Sequence, residues 1–198
     1  RIYVSFGSPG IACLDTKTCA VLWERRDFVC NHFRGAGSSP IVWNDLLIHH
    51  FDGSDHQFLV ALDKKTGKTV WEVKRSVDYK DLEPDGRVKA DGDWRKAYGT
   101  PHVIDWQGKP LLLSSGAKAH YAYDPATGKE IWRIDDPVHH SASVRPVSGL
   151  GMVFVAAGFS QGEVFALKLG GTGALDESSV AWRIKKAAPN KQIGRAHV

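Results

Sequence analysis

Two histidine pairs are the residues of this chain that most directly suggest chemistry. They are His49-His50 and His139-His140, and imidazole is a common metal ligand and proton carrier. In an extended strand, adjacent side chains point to opposite faces, so neither pair can chelate an ion alone. We expect hydrogen-bonded or solvated histidines and no metal site. The alternative is that single members of the two pairs converge across a channel.

Carboxylates form a second candidate site. Asp81, Glu83 and Asp85 alternate and are followed by Gly86, like the ligands and glycine of a calcium loop. The twelfth position, where such a loop needs a bidentate glutamate, is Gly92. We therefore expect a charged surface loop within an insertion spanning residues 76–98. Long loops on rigid scaffolds often carry binding functions.

Nucleophilic residues do not form a recognisable catalytic set. Cys13, Cys19 and Cys30 lack the spacing of zinc ligands, and three cysteines cannot all pair within one chain. We expect them to be small buried residues. The glycine-rich segments lack the strand-to-helix context of a phosphate loop, so the sequence predicts no catalytic residues.

Composition narrows the function classes. The chain has 198 residues, 42% hydrophobic and 24% charged, which favours a folded core over disorder. The net charge of +4 is spread along the chain, so a nucleic-acid partner is not expected. No apolar run approaches the length of roughly 18 residues that a membrane-spanning helix requires.

Internal repeats define the architecture. The pairs Asp15–Trp23, Asp63–Trp71 and Asp124–Trp132 each have the same spacing of 8 residues, and a looser copy ends at Trp182. A second marker keeps the same phase, because Pro40 and Pro101 each precede the next repeat tryptophan by 31 residues. Repeat periods in this range indicate a propeller or a solenoid.

Short apolar runs between turn residues predict strands. Each repeat is expected to contain four strands: the first begins near the proline, and a hairpin joins the third to the tryptophan-bearing fourth. In that hairpin the aspartate accepts hydrogen bonds from turn N–H groups, and Gly67 or Gly128 takes the positive-φ position. Antiparallel four-stranded units at this period are propeller blades, so we predict an all-β fold.

The motif Ala-x-Asp-x-x-Thr-Gly-Lys-x-x-Trp resembles the repeat of the pyrroloquinoline-quinone-like (PQQ-like) β-propeller family, including its BamB-like members. The resemblance implies that the repeat tryptophans dock each blade on the next. The blade-docking positions are Trp23, Trp71, Trp132, Trp182, Asp15, Asp63, Asp124, Gly67 and Gly128. Cys19 replaces the turn glycine of the first copy and Lys168 the aspartate of the fourth. Family rings usually close with seven or eight blades; about four are expected here, in residues 1–191.

The resemblance implies a non-catalytic binding or assembly scaffold outside the cytoplasm, in the periplasm, with no cofactor of its own. Its partner would be a protein or a small polar ligand. Two alternatives stay open: part of a periplasmic quinoprotein dehydrogenase that uses PQQ with calcium, and the sensor propeller of a larger regulatory protein. The adjacent cysteine pair that caps the quinone in the dehydrogenases is not present in this sequence.

Residues just before the first strand of each blade are expected to line the mouth of the central channel. They form a candidate polar binding site, consisting of Ser38, Ser39, Tyr98, Thr100, His139, His140, Ser143 and Arg145. The segment 192–198 is expected to be a non-native tail, because residues 193–198 match what a common sequencing adapter encodes in one reading frame.

Overall fold

The structure, a computed structural model, describes residues 1–32, 35–159, 162–185 and 188. The predicted tail at 192–198 lies outside the described residues. Strands alternate with tight turns, as the short apolar runs predict, and the described part forms four sheets. Within that part, no helix has the length and apolar character needed to cross a membrane.

In each sheet, strands that are consecutive along the chain are hydrogen-bonded neighbours, with the exception of one strand that is described below. The first sheet contains β1 (Ile2–Ser5), β2 (Ile11–Leu14) and β3 (Val21–Arg25). The second contains β4 (Ile41–Trp43), β5 (Leu46–Asp52), β6 (Gln57–Asp63) and β7 (Thr69–Lys74). The third contains β8 (His102–Trp106), β9 (Lys109–Ser115), β10 (Ala119–Tyr123) and β11 (Glu130–Asp135). The fourth contains β12 (Val147–Gly149), β13 (Met152–Ala157), β14 (Glu163–Lys168) and β16 (Val180–Ile184).

The prediction of antiparallel blades is confirmed for these pairings, and β4, β8 and β12 each start directly after the marker proline. One detail of the prediction was wrong. The strand β15 (Gly173–Leu175) joins the third sheet beside β11 in a parallel arrangement. The long connection between β14 and β16 allows this, because its extra residues reach the outer edge of the neighbouring blade. A parallel pairing needs a long crossover connection, and the chain that includes β12, β13 and β14 provides it between β11 and β15.

The insertion carries little regular structure. A 3₁₀ segment spans Lys89–Arg95, with left-handed backbone at Ala90, Asp91 and Gly92. A second, three-residue 3₁₀ turn spans Glu177–Ser179 and is capped by the Asp176 carboxylate, which accepts a hydrogen bond from the Ser178 N–H. A short helical turn in the insertion agrees with the prediction.

Three apolar clusters lie between successive sheets rather than within any one of them. The cluster between the second and third sheets joins Ile48, Leu59 and Trp71 to Leu112 and Tyr121. Equivalent clusters join the first sheet to the second and the third to the fourth. Each sheet therefore buries its faces on its neighbours, and stability is carried mainly by the interfaces, as in other repeat proteins.

The repeat tryptophan lies opposite a small residue on the third strand of its blade. Trp71 pairs with Ala61 and Trp132 with Ala122, and a register shift follows the small residue in each case. Cys13 fills the same position opposite Trp23. The alanine or cysteine leaves room for the indole to reach across to the next blade.

Two tryptophans contact the hairpin of the following blade in the same way. The Trp71 indole donates to the Pro125 carbonyl at 3.1 Å, and its ring lies against Gly128. A Cβ atom on Gly128 would lie 2.6 Å from the ring, and the glycine has a φ of +72°. Glycine is therefore required at this position for two reasons: the left-handed backbone of the turn and the close contact with the Trp71 ring. Trp23 repeats the arrangement on Gly67, donating to the Lys64 carbonyl at 3.2 Å.

The last two repeat tryptophans differ from this pattern. Trp132 is buried in the cluster that joins the third and fourth sheets, which also contains Leu167. Trp182 is 40% exposed, and its ring lies at a tilt to that of Phe154 in its own sheet, with centroids 5.8 Å apart. Among the described residues, Trp182 has no hairpin to dock on, so its predicted docking role is not seen there.

Hairpin aspartates hold the turns that receive the tryptophans. The Asp63 carboxylate accepts from the backbone N–H of Lys65 at 3.0 Å and of Thr66 at 2.8 Å. Asp15 makes the equivalent contacts in the first blade, and Asp124 accepts from the Ala126 N–H at 2.8 Å. Hydrogen bonding to the charged form lowers the pKa of Asp63 and Asp15.

Candidate functional site

The segments that lead into the first strands of successive blades lie side by side. The Ser39 N–H donates to the Thr100 hydroxyl at 3.1 Å, and the Tyr98 N–H donates to the Ala142 carbonyl at 2.8 Å. His102 Nδ1 donates to the Pro146 carbonyl at 3.0 Å. Contacts between residues 44 or 61 positions apart therefore bring the three segments to one end of the blades.

A cavity of about 540 Å³ contains two of the predicted site residues. Tyr98 and His140 line it together with Asp93 and Lys96 of the insertion and Phe159 of the fourth blade. His140 stacks on Phe159, with ring centroids 6.0 Å apart. Burial lowers the pKa of His140, so its imidazole is neutral near pH 7. The wall thus combines aromatic faces with a neutral imidazole and an Asp93–Lys96 ion pair.

Other predicted site residues are placed differently. His139 lies outside this cavity wall and binds Asp136, with Nδ1 2.8 Å from the carboxylate. Ser38 has a buried hydroxyl oxygen without a hydrogen-bond partner in the described residues. Ser143 has a partner, and Arg145 lines a separate cavity described below. The eight predicted residues therefore do not share one pocket.

The first histidine pair is fully buried, and its members bind different partners. His49 Nε2 lies 2.9 Å from the Ser5 hydroxyl of the first blade. His50 Nδ1 lies 2.5 Å from the Asp52 carboxylate. Burial lowers the pKa of His49 to about 3. Both histidines are hydrogen-bonded, and they do not converge on a common point.

A buried charged network joins the second and third blades, and sequence reasoning missed it. Arg75 binds Asp52 through two nitrogens, at 2.7 and 3.1 Å, and also donates to the Ser114 hydroxyl at 2.9 Å. The guanidinium lies over the Tyr121 ring, 4.8 Å from its centroid. The one available signal was Asp52 itself, a charged residue that ends a long apolar strand.

Electrostatics keep this network ionised despite its burial. The Asp52 and Arg75 side chains are 0% and 1% exposed. Burial alone would raise the pKa of Asp52, but the charges of Arg75 and His50 outweigh it and hold that pKa well below its usual range. Burial likewise opposes the charge on Arg75, and Asp52 keeps its pKa raised.

A second buried cluster occupies the junction of the third and fourth blades. Asp136 contacts His120 at 3.3 Å and His139 at 2.8 Å. Burial would raise the pKa of Asp136, but the hydrogen bond and charge of His120, with help from His139, lower it to about 2. Next to this cluster, Arg183 forms an ion pair with Glu163 at 2.7 Å, and Glu163 lies 3.9 Å from His139.

Two carboxylates of the insertion pair with arginines. Asp81 receives two hydrogen bonds from Arg95, at 2.6 and 2.9 Å, and Asp85 pairs with Arg87 at 2.7 Å. Within the described ranges, no three histidine, cysteine, aspartate or glutamate side chains converge in a way that could hold a metal ion. The charged-loop interpretation accounts for the placement of these residues.

Comparison with known proteins gives the same architecture. A family profile described as outer membrane protein assembly factor BamB matches residues 1–93 and again residues 56–193. The chain belongs to this family of PQQ-like β-propellers. The structure of BamB from Moraxella catarrhalis superposes with a TM-score of 0.62 at 20% identity, over 90% of this chain and 47% of that one.

Dehydrogenases also share the PQQ-like propeller fold. The quinohemoprotein alcohol dehydrogenase ADHIIG from Pseudomonas putida HK5 has a TM-score of 0.61 at 15% identity, over 96% of this chain and 33% of that one. Methanol dehydrogenase [cytochrome c] subunit 1 from Methylorubrum extorquens is 26% identical over 142 residues, which is 69% of this chain and 22% of that protein. The chain thus spans about half or less of the length of these relatives.

The PQQ-like propeller family raises the question of whether PQQ and calcium would fit this part of a ring. Calcium requires several convergent oxygen ligands, whereas Asp52, Asp81 and Asp85 bind arginines and Asp136 binds histidine. Cys13 lies on β2 and Cys30 in the loop after β3, and both are buried, whereas Cys19 is exposed, so the expectation of burial was wrong for Cys19. The described residues do not form a matching donor set, so we derive no chemical step through these groups.

Proposed function

We propose that this chain is part of a non-catalytic β-propeller that acts as a binding or assembly scaffold. One observation carries the proposal: Asp52 and Arg75, whose pKa values are shifted by burial and by each other, are enclosed between blades. In enzymes, such groups lie in clefts that substrates reach. Here Asp52 and Arg75 are closed off from solvent and bind each other, which fits a role in blade docking.

The surface formed by the segments that lead into the first strands suits recognition of a partner rather than catalysis. The lead-in segments present hydroxyls, aromatic rings, a neutral imidazole and an arginine from successive blades. Such groups orient a partner through hydrogen bonds and aromatic contacts. We propose a protein or a small polar ligand as the partner, with no cofactor in this part of the propeller.

The proposed location is outside the cytoplasm, in the periplasm. It is supported by the matching family description, an outer membrane protein assembly factor. Fold alone does not determine function, so both location and partner class rest on resemblance. An assembly role would use the same surface, formed by the segments that lead into the first strands of the blades.

The second candidate is part of a PQQ-dependent dehydrogenase, favoured by the match to methanol dehydrogenase subunit 1. The deciding experiment mixes the full-length protein with PQQ and calcium and follows dye reduction with methanol and ethanol. A parallel sample lacks calcium. The scaffold proposal expects no calcium-dependent turnover and no saturable heat of PQQ binding in calorimetry. Calcium-dependent dye reduction would overturn it in favour of the dehydrogenase.

A further inference from the structure

Arg145 differs from most other arginines of the described chain. Seven of them pair with a carboxylate within 4.0 Å: Arg25, Arg26, Arg75, Arg87, Arg95, Arg133 and Arg183. Arg145 has no such pair among the described residues, and its Nε is buried without a hydrogen-bond partner there. A partly buried guanidinium without an anion is costly, because burial removes water that nothing replaces.

The side chain lines a cavity of about 380 Å³ where the first strands of adjacent blades meet. Trp43 of β4 and His102 of β8 contribute to the wall, and Arg145 enters from the segment before β12. The volume lies near the lower end of the range for small-ligand sites. It can therefore hold a small group, such as one carboxylate with a short carbon chain.

The remaining polar groups of the wall do not neutralise the arginine. His102 Nδ1 is occupied by the Pro146 carbonyl, and burial, together with the nearby charge of Arg145, lowers the His102 pKa. Asp105 also lines the cavity, but it lies beyond ion-pair distance of Arg145 and accepts from the Gly108 N–H at 3.0 Å. A positive charge whose buried Nε–H has no partner among the described residues thus faces a partly apolar space.

We propose that this cavity is a carboxylate-binding site in which Arg145 is the charged anchor. Guanidinium and carboxylate have matching planar geometry and form charge-assisted hydrogen bonds, which makes a carboxylate the best-fitting anion for a site of this size. The carboxylate can come from an acidic side chain of a protein or from a free small acid. The inference goes beyond the scaffold proposal and does not depend on it.

The test observes Arg145 directly. The Nε–H signals of the ¹⁵N-labelled full chain are recorded by NMR while either glutarate or a blocked Gly-Gly-Glu-Gly-Gly peptide is added. The matching Gln peptide serves as the uncharged control. We expect a saturable shift of the Arg145 signal with both acids and none with the Gln peptide. Tighter binding of the peptide than of glutarate identifies a protein side chain as the source, and the reverse order identifies a small acid.

Variants separate the site from general charge effects. Arg145→Gln is expected to weaken binding about ten-fold or more, the effect of losing a charged hydrogen bond. Arg145→Lys keeps the charge but loses the planar guanidinium that can donate two hydrogen bonds to one carboxylate, so it should bind with intermediate affinity. Arg87→Gln, which removes an exposed arginine already paired with Asp85, should bind like the parent. If Arg145→Gln loses its dispersed amide spectrum, the Lys variant carries the comparison.

The proposal is overturned if neither acid gives a saturable shift in the parent chain. Binding that is equally strong in the Arg145→Gln and parent chains would also overturn it. The scaffold proposal fails on calcium-dependent dye reduction, whereas this inference fails on the Arg145 signal with glutarate and peptide, so the two failures are distinguishable.

Discussion

Replacing Trp71 with alanine is the perturbation that most directly probes docking between blades. Its indole is 9% exposed, lies against Gly128 and donates to the Pro125 carbonyl at 3.1 Å. Truncation of a buried aromatic side chain costs about 3–5 kcal/mol of unfolding free energy. About 1 kcal/mol of that belongs to the lost hydrogen bond. A loss of this size is a large part of a typical domain stability of about 5–15 kcal/mol.

Two further variants show how much of the lost unfolding free energy comes from the indole N–H and how much from burial. Trp71→Phe keeps an aromatic ring but removes the indole N–H, so a smaller cost of about 1–2 kcal/mol is expected. Trp182→Ala is the matched control, because Trp182 has the same repeat position but is 40% exposed. Its expected cost is within about 1 kcal/mol, as for most surface substitutions.

The assay is urea unfolding followed by circular dichroism, with the parent and three variants measured at equal concentration. The expected order of destabilisation is Trp71→Ala, then Trp71→Phe, then Trp182→Ala. A Trp71→Ala chain that unfolds at the same urea concentration as the parent would refute the docking argument. A Trp182→Ala cost equal to that of Trp71→Ala would refute it as well.

Three other predictions follow from single features. Cys19 has a φ of +59° where the other hairpins have glycine, so Cys19→Gly should raise stability by about 1 kcal/mol, measured by calorimetry; a lower melting temperature would contradict this. The folded pKa of His49 is about 3, so the unfolded chain binds this proton first as the pH drops, and the free energy of unfolding should fall between about pH 6.5 and 3. His49→Gln should reduce the slope of that fall by the equivalent of about one bound proton, and an unchanged slope would count against this prediction. Asp52→Asn leaves Arg75 buried without its counter-ion and should cost about 3–5 kcal/mol in urea unfolding, whereas Asp135→Asn, in an exposed pair, should cost less than about 1 kcal/mol; equal costs would refute the burial argument.

The sequence was sufficient to predict the blade architecture because its markers are local and repeated. The Asp-to-Trp spacing of 8 residues places a hairpin and a docking tryptophan in each copy, and the marker prolines place the first strands. The parallel strand β15 could not be predicted in this way. Gly173–Leu175 pairs with Trp132–Ile134 of another blade, and no short-range pattern specifies such a partner.

The candidate site was less predictable than the fold. Ser39 and Thr100, each directly before a marker proline, are in contact. Tyr98 and Arg145 nevertheless line different cavities, because side-chain direction depends on backbone detail in irregular segments. The Asp52–Arg75 pair was missed for a related reason. Its members lie 23 positions apart, and charged residues at strand ends usually face solvent.

The most direct test of the central claim, that the first and second blades are docked on the hairpins of the blades that follow them, is a nuclear Overhauser measurement between the Trp71 indole ring and the Gly128 α-protons. The close approach of this glycine to the ring predicts a strong cross-peak, with a matching one between Trp23 and Gly67. Absence of both cross-peaks in a folded chain, with the indoles contacting only their own blades, would contradict the propeller arrangement on which the scaffold proposal rests.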